Sequence, residues 1–579
     1  MDGQRAVGSR RWAVGLGLLV AVVFTLNARW LSFGWFGDDY VHRRILLEHV
    51  RPWWNLFDDR RPALASADDP VTLFGRLPWW TSPRFSFALL RPLSAASQSL
   101  DYALWPSSPE WMHLHNVALF ALIVCVAGAL YRRWLLDPLA CWIALGAYAI
   151  DDAHTVGNVW IASRNTLLVA LFGLIALWSF DRARHDRARW AGWLAPLALL
   201  CAHASSEGAI ALWAYLIAYA LFLDTRGRRW LALLPLLAVS AGYYALAAAY
   251  GYGVRGSGLY VDPRTEPLRF VLVALARLPE IAWLQFGVSN LAFEDVPPAA
   301  FVPTVWAIRA LVLAALAIGV WPSRRSRATR FFVLAAALAL LPHCAIGASD
   351  RLLYSSGFAA HGVIGIALAS CLRQLAAAGA WRRVTYAVLA AGLVLVHGVL
   401  ALLTPARTVA IALDIQRRVE AAARSLPQGE ALRDRTIVVL NYPDYLTSVF
   451  VGHYRREVAM PGPRAMLVLG THPAPVRIAR VQAHALEVEP FGGYFRDPTM
   501  WMVRPPGEAF RPGELLPLGA AVVRVDSLTS DGRPQRISLL ANLSDPRWLW
   551  VAFDVRSGRF VPIQLPGVGR EVWLPSPVN

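Results

Sequence analysis

WAVGLGLLVAVVFTLNARWLSFGWFGDDY, residues 12–40, is the stretch on which the fold turns. Residues 12–31 are apolar and long enough to cross a bilayer as a helix. Arg5, Arg10 and Arg11 precede them, which the positive-inside rule assigns to the cytoplasm. No clear small-x-small cleavage site follows, so the segment reads as an uncleaved anchor rather than a signal peptide. It delivers Asp38 and Asp39 to the far side. Two adjacent carboxylates just outside a bilayer are costly to place there without a reason, and they read as the acidic centre of an outer-face active site.

The remaining composition agrees with a membrane setting. Of 579 residues, 56% are hydrophobic and 16% charged, against about 25% charged in soluble proteins. Further apolar blocks run over about 113–131, 139–157, 164–180, 190–206, 207–223, 230–250, 304–321, 331–348, 352–372 and 382–404. The connections at Tyr131–Arg133, Asp181–Arg189 and Asp224–Arg229 are arginine-rich and alternate with arginine-poor ones. If 269–290 also spanned, Arg324, Arg325, Arg327 and Arg330 would fall outside, so 251–303 reads as an outer loop with a surface or re-entrant helix. The expected fold is a polytopic α-helical membrane protein of about eleven spans, in a bacterial inner (cell) membrane, N-terminus inside.

The net charge is +17, and many of the arginines fall in short clusters between apolar blocks, a distribution that points to topology and not to nucleic acid. All 56 basic residues are arginine, which removes a Walker-A lysine and a Schiff-base lysine from consideration. The five cysteines lie in or beside apolar blocks without a CxxC partner and read as buried small residues. The segments divide into a transmembrane domain, 1–404, and a soluble β-rich domain, 405–579, on the outer side. The first carries the long outer-face loop 32–112, whose pairs Trp53-Trp54 and Trp79-Trp80 read as interfacial anchors. The second opens with an amphipathic helix at 405–425. Alternating runs such as Thr436–Leu440 and Ala520–Val525 follow, separated by turns at Pro443-Asp444 and Asp531-Gly532.

Polar side chains gather on the expected outer face: Asp38, Asp39, Arg84, Arg91, Asp101, His113, His115, Asp151, Asp152, His154, Arg164, Glu207, Asp350, Arg351 and Tyr354. Carboxylates and arginines at a membrane boundary suit a lipid-phosphate donor. Arginine forks grip the phosphate, and a carboxylate deprotonates an acceptor hydroxyl or orients a metal. Plainer roles stand beside these: a helix cap for Asp38-Asp39, a helix-end pair for Asp151-Asp152, interfacial packing for His113, a turn for Glu207, a headgroup contact for Arg351.

The order of segments carries a resemblance. Gly37-Asp38-Asp39 after the first helix resembles the acidic motif of the C-type glycosyltransferases, integral membrane enzymes that use polyprenyl-phosphate-linked sugars. Arg91-Pro92-Leu93-Ser94 through Asp101-Tyr102-Ala103-Leu104-Trp105 is similar to the "RPLS…YALWG" segment of their protein O-mannosyltransferase-like branch. That branch includes the transmembrane-and-tetratricopeptide mannosyltransferases. His113-Leu114-His115-Asn116 resembles "HLxN", His154 to Asn165 resembles "HPxHxEAV…GR", and Ser205-Ser206-Glu207 resembles "SKE". Asp350 to Phe358 resembles "ERxLYLPSxGF". The match covers roughly residues 10–405.

The resemblance implies Asp38 as general base or metal-orienting acid, with Asp39 beside it and a divalent ion (Mg or Mn) as an open option. It implies Arg351 and Arg164 as lipid-phosphate contacts, joined by Arg84, Arg91 and Tyr354, with Asp101, His113, His154 and Glu207 in secondary positions. The implied partners are a polyprenyl-phosphate-sugar donor, a glycan, lipid or protein acceptor, and membrane lipids. The chain departs from the pattern where Ser206 replaces the lysine of "SKE", where the second histidine and the acid of "HPxHxEAV" are missing, and where no repeats follow. Two rivals remain: a lipid-linked-sugar transporter or flippase, disfavoured by the lack of clear mid-span charges and of a repeat, and a catalytically inactive scaffold presenting the β-domain.

Overall fold

The computed structural model describes residues 2–60, 77–288, 302–377, 379–427, 429–458, 460–472 and 474–576. Two compact units emerge: Met1–Trp35, Leu89–Tyr252 and Asp262–Ala410, and then Phe36–Ala88, Gly253–Val261 and Ile411–Asn579. The second unit therefore takes in chain that the sequence reading grouped with the transmembrane part. Positions 61–76 and 289–301 of the two expected outer loops lie outside the described residues.

In the first unit, among the described residues, eight helices are long and apolar enough to cross a membrane. They are Arg10–Trp30, Pro109–Trp134, Ile161–His185, Leu231–Ala249, Val302–Ser323, Arg327–Ala345, Tyr354–Ala377 and Ala380–Ser425, the last continuing into the second unit. The shortfall from about eleven expected spans comes from three blocks, 139–157, 190–206 and 207–223. Polar caps interrupt them. Asp151, at ψ 127°, ends the helix Pro138–Ile150, and its side chain accepts from Ala153 N. Ser206 is extended and accepts from Gly208 N, which separates Arg189–Ser205 from the shorter apolar helix Glu207–Leu223. The helix Pro267–Phe286 is not one of the eight.

Tyr354–Ala377 is the axis of this unit. Its apolar window is 94% buried, whereas those of Arg10–Trp30 and Val302–Ser323 are 11% buried and turn most of their surface outward. Three tyrosine hydroxyls hold the start of the axis: Tyr148 donates to Tyr354 O at 2.8 Å, Tyr131 to Phe358 O, and Tyr215 to Ser355 O. Helix Pro138–Ile150 approaches so closely that a Cβ on Gly365 would lie 2.5 Å from Ala140 O. At one end of the unit the arginine-rich connections are tied together. Arg133 pairs with Asp181 and Asp186, Arg184 with Asp224, and Arg226 donates to His185 O.

Among the described residues the second unit holds three sheets. Thr436–Val439 runs parallel to both Ala465–Val468 and Trp548–Asp554, and Arg559–Pro562 closes the far edge antiparallel. The helix Tyr445–Glu457 connects the first parallel pair, with Asp444 as its cap, accepting from Thr447 N at 2.8 Å. The Pro443-Asp444 signal thus starts a helix. The domain is α/β in this part, because a parallel pair needs a crossover. Six antiparallel strands in the order Glu571–Leu574, Val476–Gln482, Ala485–Pro490, Pro534–Leu540, Ala521–Leu528 and Leu515–Leu518 form the second sheet. Asp58–Arg60, Ser86–Ala88 and Gly253–Arg255 form the third.

Trp79 and Trp80 are core residues of this unit and not interfacial anchors, at 1% and 0% exposed. Trp79 Nε1 donates to Leu469 O at 2.8 Å, and the two rings meet Tyr494 and Tyr445 edge-on. Trp53 and Trp54 remain exposed.

Candidate functional site

Asp38 and Asp39 open the helix Asp38–Leu47 in the second unit, directly after Gly37 at φ +57° and ψ −123°. That backbone favours glycine, which fixes the residue before the acidic pair. Asp39 is buried, and its Oδ2 accepts from Phe36 N at 2.9 Å, closing the turn. Asp38 is half-buried. Both carboxylates lie in the first turn of the helix. One residue later, burial pushes the Tyr40 hydroxyl pKa well up, with Tyr454 and Asp39 adding to it. On the same helix Arg43 pairs with Glu457, whose carboxyl burial raises even so. In this unit Arg84 is exposed and donates to Glu508 at 3.2 Å.

A metal at the acidic pair needs converging ligands. Neighbouring positions on a helix diverge by about 100°, and Asp39 already closes a backbone turn. Among the described residues no group of three His, Cys, Asp or Glu side chains could hold an ion. Among the described residues the acidic pair does not fit a metal centre.

In the first unit, several of the expected substrate contacts are occupied by protein. Arg164 is fully buried. Its Nε donates to Asn116 Oδ1 at 2.7 Å, Nη1 to Ser97, and Nη2 to Met112 O, with Asp101 as its counter-ion. His115 Nδ1 lies 3.0 Å from the same carboxylate. This fork has no donor left for a phosphate, and Asp101 serves it. His113 is buried with Nε2 2.8 Å from Gly34 O. Arg91 and Glu207 are brought together as a forked pair. Burial works to raise the Glu207 carboxyl pKa, but the Arg91 guanidinium outweighs it and holds it below the usual value.

Tyr354 is buried, its hydroxyl between His154 O and Asn158 Oδ1. Its ring stacks on His154 at 4.4 Å, and a Cβ on Gly157 would lie 2.5 Å from that ring. Arg351, three residues earlier, differs from the other arginines of the set. It is half-buried, its guanidinium lies 4.6 Å over the Trp160 ring, and among the described residues it has no ion pair. Stacking leaves the N–H edge of the fork available.

Sequence reasoning passed over His361 and His397. His361 Nε2 lies 3.3 Å from Asp151 Oδ2, with His154 Nε2 at 3.9 Å from the same oxygen and the His397 ring 6.4 Å from His361. The available signal was spacing: His361 follows Tyr354 by two helical turns on one face of an apolar span.

No protein-family model matches the chain, and no curated protein matches it. Solved structures similar to it include the oligosaccharyltransferase of Archaeoglobus fulgidus, tethered with an acceptor peptide. It is 13% identical over 79% of this chain and 63% of that one, with a TM-score of 0.43. This chain thus spans less than two thirds of that protein's length. ArnT from Cupriavidus metallidurans bound to undecaprenyl phosphate is 14% identical over 92% of this chain and 98% of that one, at a TM-score of 0.38. The same protein in its apo state is 15% identical over 77% and 85%, at 0.36.

Proposed function

We propose that this chain is a C-type membrane glycosyltransferase that moves a sugar from a polyprenyl-phosphate donor to an acceptor on the outer face. The single observation that carries the reading is Arg351, a guanidinium stacked on Trp160 with no ion pair among the described residues. It stands within Asp350–Phe358, the segment that resembles the "ERxLYLPSxGF" motif. A fork held flat by an indole, with its edge unengaged, is suited to a phosphate.

In this reading Asp38 takes the proton from the acceptor hydroxyl. The freed oxygen attacks the anomeric carbon, the bond to the donor phosphate breaks with inversion, and the phosphate leaves with both electrons. Arg351 stabilises the charge that grows on that phosphate. Asp39 sets the turn from which Asp38 projects. Arg164, Asp101 and Tyr354 hold the helix ends and take no chemical step. The N-terminus is cytoplasmic and the C-terminal part extracytoplasmic.

The test is transfer of sugar from a polyprenyl-phosphate donor, or the envelope-glycan profile, in cells carrying Asp38→Asn. Loss of the product supports the reading. An unchanged profile removes it and leaves a transporter or scaffold.

A further inference from the structure

The helices Pro267–Phe286 and Val302–Val320 line a cavity of about 150 Å³, bounded by Pro279, Ala282, Trp283, Trp306, Arg309 and Leu313. Its walls are hydrocarbon and indole, apart from one charged group. The Arg309 guanidinium lies 5.0 Å from the Trp306 ring and 5.7 Å from the Trp283 ring. Its Nε is buried without a hydrogen-bond partner, and among the described residues no carboxylate faces it. Arg309 is a mid-span charge that the sequence reading passed over.

It lies within the apolar helix Val302–Ser323, at least seven positions, about 10 Å along the axis, from either described end, which places it inside a hydrocarbon core whose half-thickness is about 15 Å. An unneutralised cation at such depth is costly. The two indoles lower the cost by cation–π attraction but bring no negative charge. The same two helices expose apolar side chains: Leu268, Leu272 and Leu275 on one, Leu311 on the other. Among the described residues that negative charge is not supplied, and an anion carried on a hydrocarbon tail is suited to supply it.

We propose that this cavity binds the phosphate headgroup of an anionic membrane lipid, held by the Arg309 fork between Trp283 and Trp306, with its tails along Leu268, Leu272 and Leu311. Neither Arg351 nor the acidic pair lines the cavity, so lipid binding here is independent of sugar transfer.

Native mass spectrometry of the full chain in detergent tests this. The probes are dioleoyl phosphatidylglycerol, dioleoylglycerol (the same tails without phosphate) and inorganic phosphate. The expected result is retention of phosphatidylglycerol, loss of dioleoylglycerol, and no displacement by inorganic phosphate. Arg309→Leu should weaken retention by about tenfold, and Arg309→Lys by less. Leu313→Trp, which fills the cavity and keeps the charge, should weaken it likewise and serves if Arg309→Leu does not fold. Equal retention by a folded Arg309→Leu or Leu313→Trp variant overturns the proposal. So does equal retention of dioleoylglycerol, or displacement by inorganic phosphate.

Discussion

Arg91 and Glu207, 116 positions apart, meet as a forked ion pair, with Nε donating to Oε2 at 2.9 Å and Nη2 to Oε1. The pair joins the start of helix Pro92–Leu104 to the start of Glu207–Leu223. Tyr244 braces it by donating to Glu207 O at 2.8 Å. Arg91→Met or Glu207→Gln alone leaves one unmatched group in a half-buried place and should lower stability by about 1–3 kcal/mol. The double variant should cost less than the two singles added. Thermal unfolding of the four proteins in detergent measures the coupling. Strict additivity would show that the fork contributes nothing as a pair.

The two acids of the opening motif should separate in their effects. Asp39→Ala removes the acceptor for Phe36 N, and its expected cost is about 1 kcal/mol of stability, as for a lost cap. Asp38→Asn keeps the shape of the side chain and removes the base, with an expected fall in transfer rate of about 10²–10⁴-fold. Melting temperatures and initial rates read the two effects side by side. A larger rate loss for Asp39→Asn than for Asp38→Asn would exchange their roles.

Arg351 is predicted to act through its planar fork and its stacking on Trp160. Arg351→Ala should reduce kcat/KM for a polyprenyl-phosphate-sugar donor by about 10–100-fold. Arg351→Lys should recover only part of that, because an ammonium has neither the fork nor the flat face. Donor titration at fixed acceptor distinguishes this from damage to the fold, which would lower the active fraction without changing KM.

His472 gives the second unit a dependence on pH. The ring is wholly buried beside Tyr494, neither nitrogen has a partner among the described residues, and burial lowers its pKa to about 3. Above its ordinary value, about 6.5, both folded and unfolded states are neutral and stability is complete. Below it the unfolded chain takes up a proton that the folded chain refuses, so stability falls progressively towards pH 3. At pH 5 the expected loss is about 2 kcal/mol. His472→Phe should remove that part of the slope in melts of the full chain between pH 7 and pH 5. An identical slope in the variant would mean that the ring does not titrate across unfolding.

The spans were readable because twenty apolar residues in a row have few fates in water. Three of the apolar blocks form helices shorter than a full crossing length, for a local reason. Asp151 and Ser206 are polar residues inside apolar blocks, and each turns its side chain onto its own backbone, which stops a helix that hydropathy alone would continue. Trp79-Trp80 was misjudged for a distant one. An exposed anchor and a core residue look the same until the partners are known, here Leu469, Tyr445 and Tyr494 from hundreds of positions away.

The candidate site divides the same way. The sequence by itself determined the residue types, their order along the chain and the glycine that precedes the acidic pair. Those follow from hydropathy, charge and backbone chemistry, all local properties. Only the tertiary structure decided which arginines are engaged. Arg164 and Arg91 sit in segments that resemble their motifs as well as that of Arg351 does. Asp101 and Glu207, distant in sequence, neutralise the first two, and an indole carries the third. A guanidinium's availability depends on what lies within about 4 Å of it, and spacing along the chain does not encode that distance.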